Sequence, residues 1–281
     1  MGRDYNGTPG MKLAISNLAW DSKHDAAVAA LMQSRGIRGV EIAPTKIWAD
    51  PLEAPESEID DYRQFWKGFG IEIVSLQSLL YGRPDLKLFG SKDERAELLD
   101  YLKRMIDLAA RLGPNGIGMV FGSPKNRLKG NLSDDEAMET AVPLFRSLGQ
   151  HAAFHDVTFC IEPNAAENGC DWIKTSSEGV ALVKTVDSKG FRLHLDAAAM
   201  SLERENPKSA IGDAADVLHS FHVSERNLAP ISTSSSSDHA AFADALRNVN
   251  FSGWASIEMI PEAYSLEVIE GALNTVAKTY G

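Results

Sequence analysis

Cysteine is nearly absent: Cys160 and Cys170 are the only two in 281 residues. Two thiols ten positions apart cannot staple a chain of this length, which excludes a disulfide-framed secreted scaffold. Long apolar runs are missing as well, and without about 18 consecutive apolar residues no helix spans a bilayer. Positive charge is scarce. Twenty-eight Lys and Arg face 39 Asp and Glu, a formal net charge of -11, which repels nucleic-acid backbones and anionic lipid surfaces. These absences predict a cytoplasmic protein acting on a small molecule, with neither nucleic acid nor membrane as partner. Residues 1–10 are polar and Gly-rich, lack the apolar heart of a signal peptide, and precede Met11. They read as a flexible N-terminal extension, with a single catalytic domain over 11–281.

What remains is ample core material, 44% hydrophobic residues against 24% charged. Short β-prone runs alternate eight times with stretches of helical period, the pattern of a parallel sheet wrapped by helices. The runs fall at 11–16, 37–42, 71–76, 115–121, 157–162, 191–196, 217–223 and 254–259. The spacings Ser22/Asp25, Ser91/Glu94 and Ser133/Glu136 predict capping boxes at helix starts. A helix over about 92–112 carries Leu98, Leu102, Met105, Ile106, Ala109 and Leu112 on one stripe and stops at Gly113-Pro114. Gly36, Gly70 and Gly190 stand where strands begin, at expected positive-φ reversals. No linker or composition shift divides the chain. The expected fold is α/β, a single (β/α)8 TIM barrel, with a two-domain doubly wound sheet as the structural alternative.

In a barrel of this kind chemistry sits at the C-terminal ends of the strands. Four successive runs close on polar residues there: Glu162, Asp196, His222 and Glu258, separated by 34, 26 and 36 residues. Each step is about one βα unit, so all four should reach the same level and converge. Three carboxylates brought together repel and resist ionisation unless a cation joins them. Oxygen donors with one imidazole and no thiolate suit one divalent metal ion, Mn2+, Mg2+ or Co2+, with Zn2+ also possible. Taken singly, each carboxylate is equally a helix cap or loop anchor, and the histidine a packed core residue.

Neighbouring residues extend the expectation. His194 shares its strand face with Asp196 and is either a hydrogen-bonding support for a metal ligand or core packing. Glu41 and Gln77 either face the mouth and bind a polyol or cap loops. Lys125 is a candidate for fixing substrate, whereas Arg127 reads as a solvated loop cation. The serine run at 232–237 is either a mobile lid or a spacer. Asp238 should cap the helix that follows, and His239 is placed to lean into the mouth. Trp48 stacks on a sugar face or closes the rim.

The placement of Glu162, Asp196, His222 and Glu258, with the strings LHLDAAAM, HVSERN and GWASIEM around three of them, resembles the xylose isomerase-like TIM-barrel superfamily. The likeness covers nearly all of 11–281 and is greatest to its sugar phosphate isomerase/epimerase group, whose loops FGSPKNR at 121–127 and EPN at 162–164 resemble. It implies that Glu162, Asp196, His222 and Glu258 hold one divalent cation and that Glu162 and Glu258 exchange the substrate proton. A metal-stabilised enediolate of a keto-sugar or polyol-derived ketone is the implied intermediate. Asn164, Glu167 and Arg226 are the implied substrate contacts. The ketohexose epimerases carry a histidine and an arginine where this chain has Ala199 and Leu228, so the substrate contacts differ in kind.

Three other functions compete with the isomerase or epimerase reading. A lyase or dehydratase would begin with the same proton abstraction and then expel a β-leaving group. A phosphodiester-cleaving enzyme would need a histidine-rich cluster and a cationic groove, against only seven histidines and a charge of -11. A non-catalytic sugar-binding barrel is the third. No Gly-rich phosphate loop follows strand seven, which favours an unphosphorylated substrate. Pairing of copies through outer helices, a homo-oligomer, is compatible with the fold.

Overall fold

In the computed structural model, residues 11–113, 116–232 and 235–281 are described. The extension expected over 1–10, Pro114 at the expected helix stop, Asn115 and positions 233–234 of the serine run lie outside them. Eight parallel strands close into a barrel in sequence order. They are β1 (Lys12–Ser16), β2 (Gly39–Ile42), β3 (Glu72–Leu76), β4 (Ile117–Phe121), β5 (Val157–Ile161), β6 (Phe191–Asp196), β7 (Leu218–Ser224) and β8 (Trp254–Glu258). β8 pairs with β1, Ile257 opposite Ile15, so the sheet has no free edge and the doubly wound alternative falls.

The helices α1 (Asp25–Ser34), α2 (Glu56–Gly68), α3 (Lys92–Leu112), α4 (Asp134–Phe154) and α5 (Ser176–Val186) follow the first five strands. Two helices, α6 (Ala197–Leu202) and α7 (Pro207–Ala214), follow β6; α8 (His239–Asn248) and α9 (Leu266–Tyr280) complete the ring. The α3 stripe is buried as its period predicts, from Leu98 to Leu112. Such burial removes each Leu from water at roughly 1.5–3 kcal/mol. No helix among the described residues is long and apolar enough to cross a membrane. Cys160 and Cys170 are both free and buried.

Local punctuation agrees with the sequence at most positions. Ser91 and Ser133 form capping boxes with Glu94 and Glu136, and Thr175 with Glu178 forms one that the sequence reading missed. Ser22 does not: a 3-10 turn over Ser22–His24 takes up the chain there, and α1 starts at Asp25 without a side-chain cap. Asp25 instead accepts a hydrogen bond from Trp20 Nε1 at 2.6 Å. Gly36 and Gly70 adopt φ of 71° and 69°. Gly190 has no positive φ, and its lack of a side chain serves packing, since a Cβ there would overlap the backbone of α4 at Gly149.

Candidate active site

Strand alternation sets His194 and Asp196 of β6, and Ser220, His222 and Ser224 of β7, on the inner face of the barrel. Register places Asp196 opposite His222 and Ser224 opposite Glu258. Glu162 follows β5 directly, and its amide donates to Phe121 O at 3.2 Å. His222 Nδ1 lies 3.4 Å from Glu258 Oε2, 3.8 Å from Glu162 Oε1 and 3.9 Å from Asp196 Oδ2. The four side chains thus converge at one end of the barrel, nearly or wholly buried.

That nitrogen is buried and has no hydrogen-bond partner. A buried nitrogen without a hydrogen bond, among carboxylates crowded closely enough to raise one another's pKa, calls for an occupant. A divalent cation fits the donor set: three carboxylates supply anionic oxygen, and the imidazole supplies a lone pair once Nδ1 gives up its proton. The other ring nitrogen is fixed, because His222 Nε2 lies 2.9 Å from Glu41 Oε1. Glu41 also accepts from Gln77 Nε2 at 3.0 Å and Ser256 Oγ at 3.2 Å, and Gln77 Nε2 reaches Ser16 Oγ at 2.6 Å. Carboxylates commonly anchor metal-binding imidazoles in this way.

Electrostatics follow from the burial. Asp196 is pushed up to about 7, first by desolvation and then by the charges of Glu162 and Glu258. Burial likewise raises Glu162. Burial opposes a charged His222, yet Glu41 and Glu258 outweigh it and lift the imidazole well above its usual range. Burial would also raise Glu41, but the His222 charge and hydrogen bond hold it below the ordinary carboxylate value. His194 stays neutral, its pKa driven far down by burial and by His222.

The supporting residues are divided. His194 Nδ1 lies 2.8 Å from Ser220 Oγ, and its ring centroid is 4.0 Å from that of His222; it makes no hydrogen bond to a carboxylate. Asp196 also caps α6, its Oδ1 accepting from the Ala199 amide at 2.7 Å while Ser224 Oγ donates to Oδ2. Glu41 and Gln77 are buried beneath the mouth, engaged with His222 and Ser16 as described. Asn164 is half-buried and accepts from Asn168 Nδ2 at 2.8 Å. Glu167 and Arg226 are exposed and pair with each other across the loops after β5 and β7. Lys125 is exposed on the loop after β4.

His239 does not lean into the mouth. Its Nδ1 lies 2.8 Å from Tyr280 Oη and its Nε2 2.8 Å from Glu225 Oε1, while Asp238 caps α8 as expected. Glu225 also accepts from the Ser236 amide at 3.0 Å and from Ser236 Oγ at 2.6 Å, so it ties part of the serine run to β7. Trp48 is buried edge-on to Tyr62 at the rim.

Three features escaped the sequence reading. Arg127 is fully buried rather than solvated, and its three guanidinium nitrogens have no hydrogen-bond partner. Gly122 lies against Glu162, and a Cβ there would overlap Glu162 Oε2. Ser224 supports Asp196; its position two after His222 on one strand is the signal that could have found it.

The sequence matches a family profile described as xylose isomerase-like TIM barrel over residues 29–275. No curated protein matches the chain significantly. Among solved structures, D-psicose 3-epimerase from Clostridium cellulolyticum H10, crystallised with D-tagatose, superposes with a TM-score of 0.79 at 17% identity, covering 96% of this chain and 99% of that one. The 3-keto-D-glucoside 4-epimerase of E. coli gives 0.77 at 19% identity over 95% of this chain and 99% of that one. A structure of the IOLI protein with a bound zinc atom gives 0.74 at 18% identity over 96% of each. At these identities the likeness is one of fold.

Proposed function

Since the chain belongs to the xylose isomerase-like TIM-barrel family, we propose that it is a divalent-metal-dependent isomerase or epimerase of a keto-sugar or polyol-derived ketone. The observation that carries this reading is His222 Nδ1, buried without a hydrogen bond and facing three carboxylates at 3.4–3.9 Å. Glu162, Asp196, His222 and Glu258 would hold the ion. When bound, it supplies Lewis acidity to a ketone oxygen and the adjacent hydroxyl, lowering the cost of the enediolate.

The protein's own residues then have distinct tasks. Glu162 and Glu258 exchange the proton alpha to the carbonyl, one removing it and the other returning it to the opposite face or the neighbouring carbon. Glu41 keeps the His222 ring oriented, and Ser224 with the α6 amide does the same for Asp196. His194, neutral and edge-on to His222, supports the wall without adding charge. Lys125 is the exposed loop group placed to meet substrate hydroxyls; Asn164 would do so by exchanging its contacts with Asn168 and Gly122, and the Glu167–Arg226 pair by opening.

The sugars after which the similar structures are named, D-psicose and a 3-keto-D-glucoside among them, support a keto-sugar. The zinc of a third neighbour supports a divalent ion, with Mn2+, Mg2+ or Co2+ favoured here by the oxygen-rich donor set. Residues 11–281 form the catalytic domain, working in the cytoplasm, where two buried free thiols are at home. The test is deuterium incorporation into a panel of keto-sugars in heavy water. Incorporation that needs Mn2+ or Co2+ and disappears in Glu162→Gln and Glu258→Gln is expected; metal-independent exchange overturns the reading. Product analysis separates reprotonation from elimination.

A further inference from the structure

At the other end of the barrel, where the long helices finish and lead back into strands, a second group of donor side chains meets on the outer layer. His151 lies in the last turn of α4 and His155 caps it. Four positions apart, their imidazoles fall on one face. Asp107 of α3 lies opposite, its Oδ1 2.8 Å from His151 Nε2 and 3.3 Å from His155 Nε2. The ring centroids are 4.6 Å apart. All three side chains are partly open to solvent, at 27%, 31% and 48%.

We propose that Asp107, His151 and His155 form a surface site for a transition-metal ion of the zinc, nickel and copper class, independent of the barrel mouth. A tetrahedral zinc with bonds of about 2.0–2.1 Å sets its donor atoms about 3.3 Å apart. Of the three donor pairs, Asp107–His155 stands at that spacing, Asp107–His151 is within half an ångström of it, and the two imidazoles offer nitrogens within 4.8 Å of each other. Two imidazoles with one carboxylate select this class over Mg2+ and Ca2+, which prefer all-oxygen shells.

Asp107 Oδ1 is the common target of both Nε2 atoms, and a carboxylate oxygen can accept from both; a cation would instead engage all three side chains at once. The carbonyl end of α4 adds partial negative charge beside His155. Partial exposure leaves a fourth position for water. The site shares no residue with the mouth, so its ion affects stability rather than turnover.

The test is zinc uptake by the metal-stripped, full-length protein, followed by equilibrium dialysis and by Cu2+ electron paramagnetic resonance. The wild type is expected to take up one more equivalent than His155→Gln or Asp107→Asn, and its copper spectrum should show coupling to two imidazole nitrogens, lost in His155→Gln. His222→Gln, at the mouth, should retain this equivalent. The two test variants lie on different helices, and unchanged circular dichroism in both separates lost binding from lost folding. Equal stoichiometry in wild type and both variants, or uptake only at millimolar zinc, overturns the proposal.

Discussion

Glu41 and His222 are 181 positions apart in sequence and share a hydrogen bond of 2.9 Å inside the barrel. The pair fixes which imidazole nitrogen faces the three carboxylates. Nε2 is committed to Glu41, so Nδ1 must be the one that points at Glu162, Asp196 and Glu258. Whatever disturbs Glu41 therefore disturbs the mouth without touching any of its oxygens.

Glu41→Gln removes the anion that orients and polarises His222 while nearly preserving shape. Mn2+ affinity should fall by about 10–100-fold, the usual cost of losing such a partner. Equilibrium dialysis against Mn2+ measures it, and unaltered affinity would remove Glu41 from this role.

Gly122→Ala places a methyl where Glu162 Oε2 sits. The carboxylate must swing away, and a shift of about 1 Å at a reacting group costs on the order of 100-fold in rate. Single-turnover deuterium exchange should drop accordingly while circular dichroism stays that of the wild type. Undiminished exchange would mean that Glu162 reacts from another rotamer.

Asp196 retains its proton to about pH 7 in the metal-free fold, against an ordinary value of 3.8. Between those values the folded state binds more protons than the unfolded one, so stability falls as pH rises. His222 adds to the decline, since its contribution is complete below 6.5 and is lost as pH climbs toward its raised pKa. Glu41 acts oppositely, but its contribution is lost only on acidification below its ordinary range. His194, His219 and His239 oppose the decline, because burial lowers each imidazole's pKa and their neutral forms gain stability as pH rises toward 6.5. The test is therefore a difference between two proteins that share them: in EDTA, the Tm of the wild type relative to Asp196→Asn should fall from pH 5.5 to pH 7.5, on the order of 5 °C where 1 kcal/mol moves Tm by about 2–4 °C. A difference that stays level or rises over this range removes Asp196 from this role.

Arg127→Met exchanges a fully buried guanidinium without a hydrogen-bond partner for an apolar chain that fits a similar space. Burial outweighs the attraction of Cys170 and Glu162 and works against its charge, so its removal should be neutral or stabilising. A rise in Tm by calorimetry is expected; a clear fall would reveal a partner for the guanidinium.

Much of this architecture is legible from periodicity, because strand and helix periods are local properties of the chain. The eight strand runs match β1 to β8 to within two residues at each end. Glu162, Asp196, His222 and Glu258 stand out because each interrupts an apolar run where a barrel opens. The remaining features depend on contacts through space. Nothing near Arg127 in the sequence announces its burial, and nothing near Glu41 points to a partner on β7. His239 misleads for the same reason: its helix position suits the mouth, but Tyr280 and Glu225 hold it aside. Ser22 has cap chemistry, yet it lies inside a 3-10 turn rather than at the residue that precedes α1.

The dual engagement of Asp196 fixes its plane. Oδ1 accepts from the Ala199 amide and Oδ2 from Ser224 Oγ, which leaves one lone pair on each oxygen. Its carboxylate is thus anchored at once to the start of a helix and to the neighbouring strand, so any movement of α6 against β7 would be transmitted straight to this side chain.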